Sequence, residues 1–388
     1  MIPIILFTPL FLAILAYSYV WTDLAIVLML GETRPFILQL NQYRDLLGPN
    51  RLLFAHVFLI FIFLLTLLQI FLLLSKSKLR RKHLVITLIL LLIPALSYPF
   101  LSSDIFSYLF AGKIAYFYHL NPYAVIPETF RNTDLWVGFT YWTHRSYVYG
   151  PVYLLYSIIP LIISSGKQFV IAFYGMKLMN FVLFSLAGYQ LFRWEKQKFK
   201  VLAYWFFNPL LIIELLINSH NEVVMISLFI IAYLLIRGRH EVWGWVIFLL
   251  SILTKYISAP LFPAFIISKR YISLFYITAS LVVLFYLGIT FPTVQAWYYT
   301  WIYMMLPFAS LEIPTLLSIF IFQFFLIWVK YYPFIATGAW NQTALLPYVQ
   351  GVSILLPFLI ITLERQQIAN SLKELFVKHS PIIEKSPN

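Results

Sequence analysis

The chain contains no cysteine, which excludes disulfides, thiol nucleophiles and thiolate metal sites. It has no GxxxxGK[ST] loop and no GxGxxG turn, so ATP-driven transport and dinucleotide chemistry lack support. No Asp-x-Asp pair is present to hold a metal-bound nucleotide sugar. Charge of either sign is scarce: 11% of residues are charged, against about 25% in a typical soluble protein. Aspartate is scarcer still. Of Asp23, Asp45, Asp104 and Asp134, only Asp104 sits directly at the end of a clean hydrophobic span. The first basic residue is Arg34, so no charged leader opens the chain and Ile2–Val20 is expected to be a retained first span.

What is present in abundance is apolar. At 62% hydrophobic, with several stretches near the ~20 residues needed to cross a bilayer, the chain reads as an all-α polytopic membrane protein. No polar break divides it, so 1–388 is expected to be one membrane-embedded domain, with 52–270 as its catalytic module and 271–388 as C-terminal spans and tail. The net charge of +13 suits nucleic acid in principle, but the basic residues cluster between apolar spans. That is the positive-inside pattern. Basic runs at 76–83, 193–200, 237–240 and 269–270 are placed on the cytoplasmic side. Leu84–Leu101 and Val201–Asn218 then run outward and Val223–Ile236 returns. Trp243–Ile267, caught between two basic runs, is expected to be a broken hairpin with Lys255 near its tip. Pro151–Ser165 reads as a re-entrant or surface helix and Phe169–Phe192 as a true span.

Four polar clusters interrupt this chain: Ser103–Tyr108, Asn121-Pro122-Tyr123, Tyr149-Gly150-Pro151 and Ser219–Glu222. Three of them fall on the extracytoplasmic side by the charge pattern. The long external loop 102–150 opens with a helical pattern in which Ile105, Phe106, Leu109, Phe110, Ile114 and Phe117 share a face and Asp104 and Tyr108 another. Such a helix lies in the interface, and Asn121-Pro122 is expected to end it. The rest of the loop mixes Trp136, Tyr141, Trp142, His144, Arg145 and Tyr147. Aromatics beside cations suit sugar stacking and phosphate binding, and they suit a headgroup-level belt equally well.

Each candidate has two readings. Asp104 is a helix N-cap, or a partly buried carboxylate able to take a proton from a hydroxyl. His220, Asn221 and Glu222 are helix-end polarity, or groups that bind a polar substrate. Lys255 sits in an apolar stretch where an ammonium needs an anionic partner, either a substrate phosphate or an internal acid such as Glu222 or Glu214. Lys177 and Asn180, mid-span, read as internal structural pairs. A transporter or lipid-linked sugar flippase also uses broken helices and buried charges, but no inverted repeat is evident and the polar groups favour one side.

In order, Pro94, Ser103-Asp104, Tyr108, Gly112, Asn121-Pro122-Tyr123, Tyr149-Gly150-Pro151, Asn208-Pro209-Leu210, His220-Asn221, Lys255 and Pro263 resemble the polyprenol-phosphate-mannose-dependent α-mannosyltransferases. Among them the chain notably resembles the actinobacterial α-(1→6)-mannosyltransferases of the GT-C superfamily, over roughly 84–270. The resemblance implies a GT-C-like helical bundle with broken or re-entrant helices and a large external loop carrying interfacial helices. It implies inverting transfer of a hexose, most readily mannose, from a polyprenyl or dolichyl monophosphate to a glycan or glycolipid, at the extracytoplasmic face of the plasma membrane. Asp104 matches the family's catalytic aspartate and is the expected general base. His220 and Asn221 match its His-Asn motif, where Glu222 replaces the usual aspartate. Tyr108, His144, Arg145, Tyr149, His220, Asn221, Glu222 and Lys255 are the expected substrate-binding residues, with Lys255 and then Arg145 the cations for the departing phosphate. No cofactor and no metal are expected.

Overall fold

The computed structural model describes residues 7–20, 50–75, 81–268, 271–290, 295–339 and 346–377, with isolated positions between 5 and 42. Most of the first basic run (76–80) and all of the last (269–270) lie outside the described residues. Among the described residues the chain is helical and no strand occurs. The helices are α1 (Thr8–Val20), α2 (Arg51–Leu74), α3 (Arg81–Leu96), α4 (Asp104–Tyr116), α5 (Pro151–Ile163) and α6 (Phe169–Trp194). Next come a broken span and then α7 (Glu222–Arg237), α8 (Glu241–Thr254), α9 (Ile272–Thr290), α10 (Ile313–Thr337), α11 (Leu346–Leu363) and α12 (Arg365–Val377). Helices α2, α6, α9 and α10 are each long and apolar enough to cross a membrane alone. This is an integral membrane protein.

The broken span organises the bundle. It consists of Lys198–Phe206 and Pro209–Ile217, bent by 44° at the two residues between them. Local chemistry makes the break. Pro209 removes a backbone donor at the first position of the second piece, where none is needed, and Asn208 caps that piece by accepting from the Leu211 amide at 3.1 Å. Both pieces wind partly as π-helix, which displaces side chains from ordinary helical register. From Val201 through Ser227 every residue is buried. A segment apolar on all sides must be enclosed by other helices, and α2, α3, α6, α7 and α10 enclose this one.

Helices α7 and α8 form a tight hairpin. Gly244 allows it, since a Cβ there would stand 2.3 Å from the Ile236 side chain. The expected hairpin at 243–267 appears as α8, a 3₁₀ segment (Tyr256–Leu261) and a short helix (Pro263–Ile266), with Lys255 at the junction. Helix α5, 13 residues long, is too short to span alone, whereas α6, at 26, is long enough.

Helix α4 packs against α5, with Ile105, Phe106, Leu109, Phe110 and Ile114 buried in protein. Its end differs from expectation: it stops at Tyr116, before Asn121-Pro122. His119 adopts a left-handed φ of 54°, which turns the chain so that the Leu120 amide closes on the Ile114 carbonyl at 3.0 Å. The Asn121 side chain then accepts from the Tyr123 amide at 3.0 Å, making a turn of its own.

Candidate active site

Asp104 opens α4, yet its side chain caps nothing. Ser103 occupies the N-cap position and makes no side-chain cap bond. The Asp104 carboxylate turns instead into the protein, 7% exposed. Its Oδ1 accepts from the Trp142 indole nitrogen at 3.2 Å, and its Oδ2 lies 3.4 Å from the Tyr108 hydroxyl, which donates to it. Oδ2 also lies 3.5 Å from His220 Nδ1. Burial is the dominant influence and pushes its pKa up to about 6; the Trp142 bond and the Lys255 charge pull the other way. A carboxylate so tuned is ionised at neutral pH but has real proton affinity, as a general base needs.

The three other polar clusters converge here. The Tyr147 amide donates to the Pro122 carbonyl at 2.9 Å and the Tyr123 hydroxyl to the Tyr149 carbonyl at 3.1 Å. Asn121-Pro122-Tyr123 therefore shapes the strand of loop that presents Tyr149. The Gly150 amide then donates to the Thr254 carbonyl at 3.1 Å. A Cβ on Gly150 would fall 1.9 Å from the Leu253 carbonyl oxygen, so only glycine lets this loop lie against the tip of the α8 hairpin. Tyr108 meets Tyr149 and Tyr153 edge to face, at 5.3 and 5.0 Å between centroids.

Lys255, at that tip, pairs with the fully buried Glu222. Its ammonium also lies 5.6, 5.4 and 5.5 Å from the ring centres of Tyr149, Tyr298 and Trp301. Three aromatic faces and one carboxylate thus hold a cation at 16% side-chain exposure. Of the two partners open to Lys255, the internal acid is the one in contact, and it is Glu222 rather than Glu214. Trp301 also lines an apolar cleft of 460 Å³ between the 3₁₀ segment of the hairpin and α9, together with Ile257, Pro260, Phe275, Ala279 and Val283.

His220 and Asn221 are completely enclosed. Neither end of the Asn221 amide has a hydrogen-bond partner among the described residues, so both remain able to bind a polar guest. Ser219, at a left-handed φ of 59°, makes the turn that presents them. The Lys177 ammonium fixes this turn by donating to the Leu216 and Ile217 carbonyls at 2.9 and 2.8 Å and to Ser219 Oγ at 3.2 Å. Lys177 is thus structural, as is Asn180, which accepts from the Tyr156 hydroxyl at 3.0 Å. His144 and Arg145 lie at the exposed rim. Arg145 stacks on Trp142 at 4.6 Å, so it reaches Asp104 only through that indole.

Several contributors carry no motif. Trp142 stands in the sequence as one aromatic among many. Trp297, stacked on His220 at 4.3 Å, and Tyr298 and Trp301 come from the 3₁₀ segment Ala296–Met304, far along the chain. Their one signal is a run of aromatics at 297–303.

Over residues 2–269 the chain matches the model of the MptA_B family, described as alpha-(1->6)-mannopyranosyltransferase, N-terminal domain. The chain belongs to that family. It is accordingly a membrane glycosyltransferase of mannosyltransferase type, acting between a sugar donor and a glycan acceptor, and the transporter reading falls away. No curated protein and no solved structure matches the chain. The family match stops before residues 297–301, although these rings complete the Lys255 cage.

Proposed function

We propose that this mannosyltransferase takes mannose from a polyprenyl or dolichyl monophosphate and transfers it, with inversion, to a glycan or glycolipid hydroxyl. Asp104 removes the hydroxyl proton as the oxygen attacks the anomeric carbon. Lys255 stabilises the charge growing on the departing lipid phosphate, a preorganised electrostatic contribution of the kind that dominates such catalysis. A β-linked donor then yields an α-mannoside. Tyr108, Tyr149, Asn221 and the Trp142–Arg145 rim hold the two sugars.

One observation carries the reading. The caged cation shares Trp301 with the apolar cleft, so a phosphate at Lys255 would have its lipid tail directed into that cleft. A nucleotide has no use for such a neighbour. The site end of the bundle is assigned to the extracytoplasmic face of the plasma membrane. In support, α6 and α7 carry Arg193 and Arg237 in their last turns, with Glu222 at the opposite end of α7.

The test is transfer of radiolabelled mannose from a polyprenyl-phosphate donor to acceptor in membranes carrying the protein. Labelled glycoside is expected with the native chain and none with Asp104→Ala. Retained turnover in that variant would remove Asp104 from the mechanism. Filling the cleft with Ala279→Phe is expected to raise the KM for long-chain donors, and an unchanged KM would detach the lipid from the cleft.

A further inference from the structure

The cation assigned to the departing phosphate is already matched by an acid. Lys255 donates to Glu222 Oε1, and the pair as a whole carries no net charge. Glu222 is completely buried, and its Oε2 has no hydrogen-bond partner among the described residues. It stands in the first turn of α7, where the positive end of the helix dipole favours an anion. Lys255, at 16% side-chain exposure, is the open member of the pair. A phosphate entering the cage therefore reaches the ammonium and finds a fixed negative charge beyond it.

The cage itself adds no compensating charge, since Tyr149, Tyr298 and Trp301 surround Lys255 with neutral rings. The pair also reaches the reacting groups. After burial and the Trp142 bond, the Glu222 charge acts on the Asp104 carboxyl to raise its pKa, and the Lys255 charge acts to lower it. We propose that Glu222 is a positioning residue acting through Lys255: it matches the cage to a phosphate of one negative charge and turns away a phosphate of two.

The reaction creates that second charge. A sugar-phosphate lipid is a phosphodiester and carries one negative charge. As the acceptor O–H bond breaks, its oxygen bonds the anomeric carbon and its proton goes to Asp104. The C–O bond to phosphate breaks and leaves its electron pair on the phosphate oxygen, so the lipid monophosphate formed carries two charges. Against a lone Lys255 this product would bind more tightly than the donor and would block the next turnover. With Glu222 beside the ammonium the second charge gains little, and the product leaves. Glu222 thereby gives up part of the stabilisation of the leaving phosphate. The charge selectivity of the cage does not need transfer; its use in product release rests on the lipid-phosphate donor proposed above.

Farnesyl monophosphate and its methyl phosphodiester share a tail and differ by one charge at pH 8, above the second phosphate pKa of about 6. Quenching of tryptophan fluorescence gives their dissociation constants on the full-length protein in detergent. The native protein is expected to hold the monophosphate no tighter than the diester. Glu222→Gln keeps an acceptor for Lys255 and removes the charge. In it the diester should tighten roughly tenfold and the monophosphate roughly a hundredfold, because the Coulomb gain doubles with the charge. Comparing each probe with itself cancels any difference in partition into the micelle. In the double variant Lys255→Met, Glu222→Gln the tighter binding should be lost, which ties the effect to the pair.

A native protein that binds neither probe, or that holds the monophosphate roughly tenfold tighter than the diester, overturns the proposal without any variant having to fold. Equal gains for the two probes in Glu222→Gln overturn it too, since Glu222 would then be neutralised before a phosphate enters. So does a gain that survives in the double variant. The unequal gains, found in a chain that transfers no mannose from a polyprenyl-phosphate donor, would uphold the charge selectivity and remove the donor reading alone.

Discussion

Replacing Asp104 by asparagine separates the cost of burying a carboxylate from its use. The native carboxyl has its pKa raised from 3.8 to about 6, chiefly by burial. The fold therefore favours the neutral form. Below 3.8 the group is protonated folded or unfolded and there is no penalty; between 3.8 and about 6 stability falls as pH rises; above that the full penalty applies. Two units at ~1.36 kcal/mol each make that penalty about 3 kcal/mol. Asp104→Asn, which keeps the shape and removes the charge, is expected to recover up to this amount at pH 7 and to melt no lower than the native protein in detergent. It should nevertheless lose transfer. In the native enzyme the ionised fraction drops roughly tenfold between pH 7 and pH 5, and the rate should follow. An unshifted carboxylate would lose less than about a tenth over that range. Initial rates from pH 4.5 to 8, with melting curves of both proteins, make the test. An acid limb centred near 4, or turnover in Asp104→Asn, would refute the assignment of Asp104 as a buried base.

Lys255→Met should destabilise by about 3–5 kcal/mol, because it strands the buried Glu222 charge. Adding Glu222→Gln should restore the melting temperature without restoring transfer, and recovery of both would deny Lys255 a role in chemistry. Gly150→Ala forces Leu253 away from the loop and is expected to cost roughly 1–3 kcal/mol and to lower kcat; native rates would mean that the loop docks elsewhere. Lys177→Met leaves two carbonyls and a hydroxyl without their donor, a loss of about 1–3 kcal/mol in thermal melting, and no loss would dismiss Lys177 as the anchor of the Ser219 turn. Transfer is expected to survive EDTA, since no Asp-x-Asp pair is present to hold a metal-bound nucleotide; inhibition reversed by a divalent cation would refute this.

The polar clusters were legible because a bilayer penalises charge, so Asp104, His220 and Lys255 stood out against an apolar background. The hairpin tip at Lys255 was legible for a local reason, a pair of flanking basic runs, whereas the break at Asn208-Pro209 falls inside a segment, Val201–Asn218, expected simply to run outward. The end of α4 was not, because a left-handed His119 stopped the helix before the proline could. Nor were the partners of the site groups. Trp142, Trp297 and Trp301 are aromatics in a chain that is 19% aromatic, and nothing in their spacing distinguishes a site wall from a lipid-facing belt. Glu214 was visible as an acid in an apolar segment, but only the π-wound backbone shows that it faces His220 and not Lys255.

The aromatic wall supplied by residues 297–301 bears on how such enzymes diverge. A stretch outside the family's matched region contributes Tyr298 and Trp301 to the cation cage and Trp301 to the cleft. Exchanging the C-terminal third between relatives would therefore change the chamber proposed to receive the donor while leaving Asp104 and its immediate partners Tyr108, Trp142 and His220 in place. Chemistry and donor choice would then be inherited from different parents, and in a chimera joined near residue 270 the two would come apart.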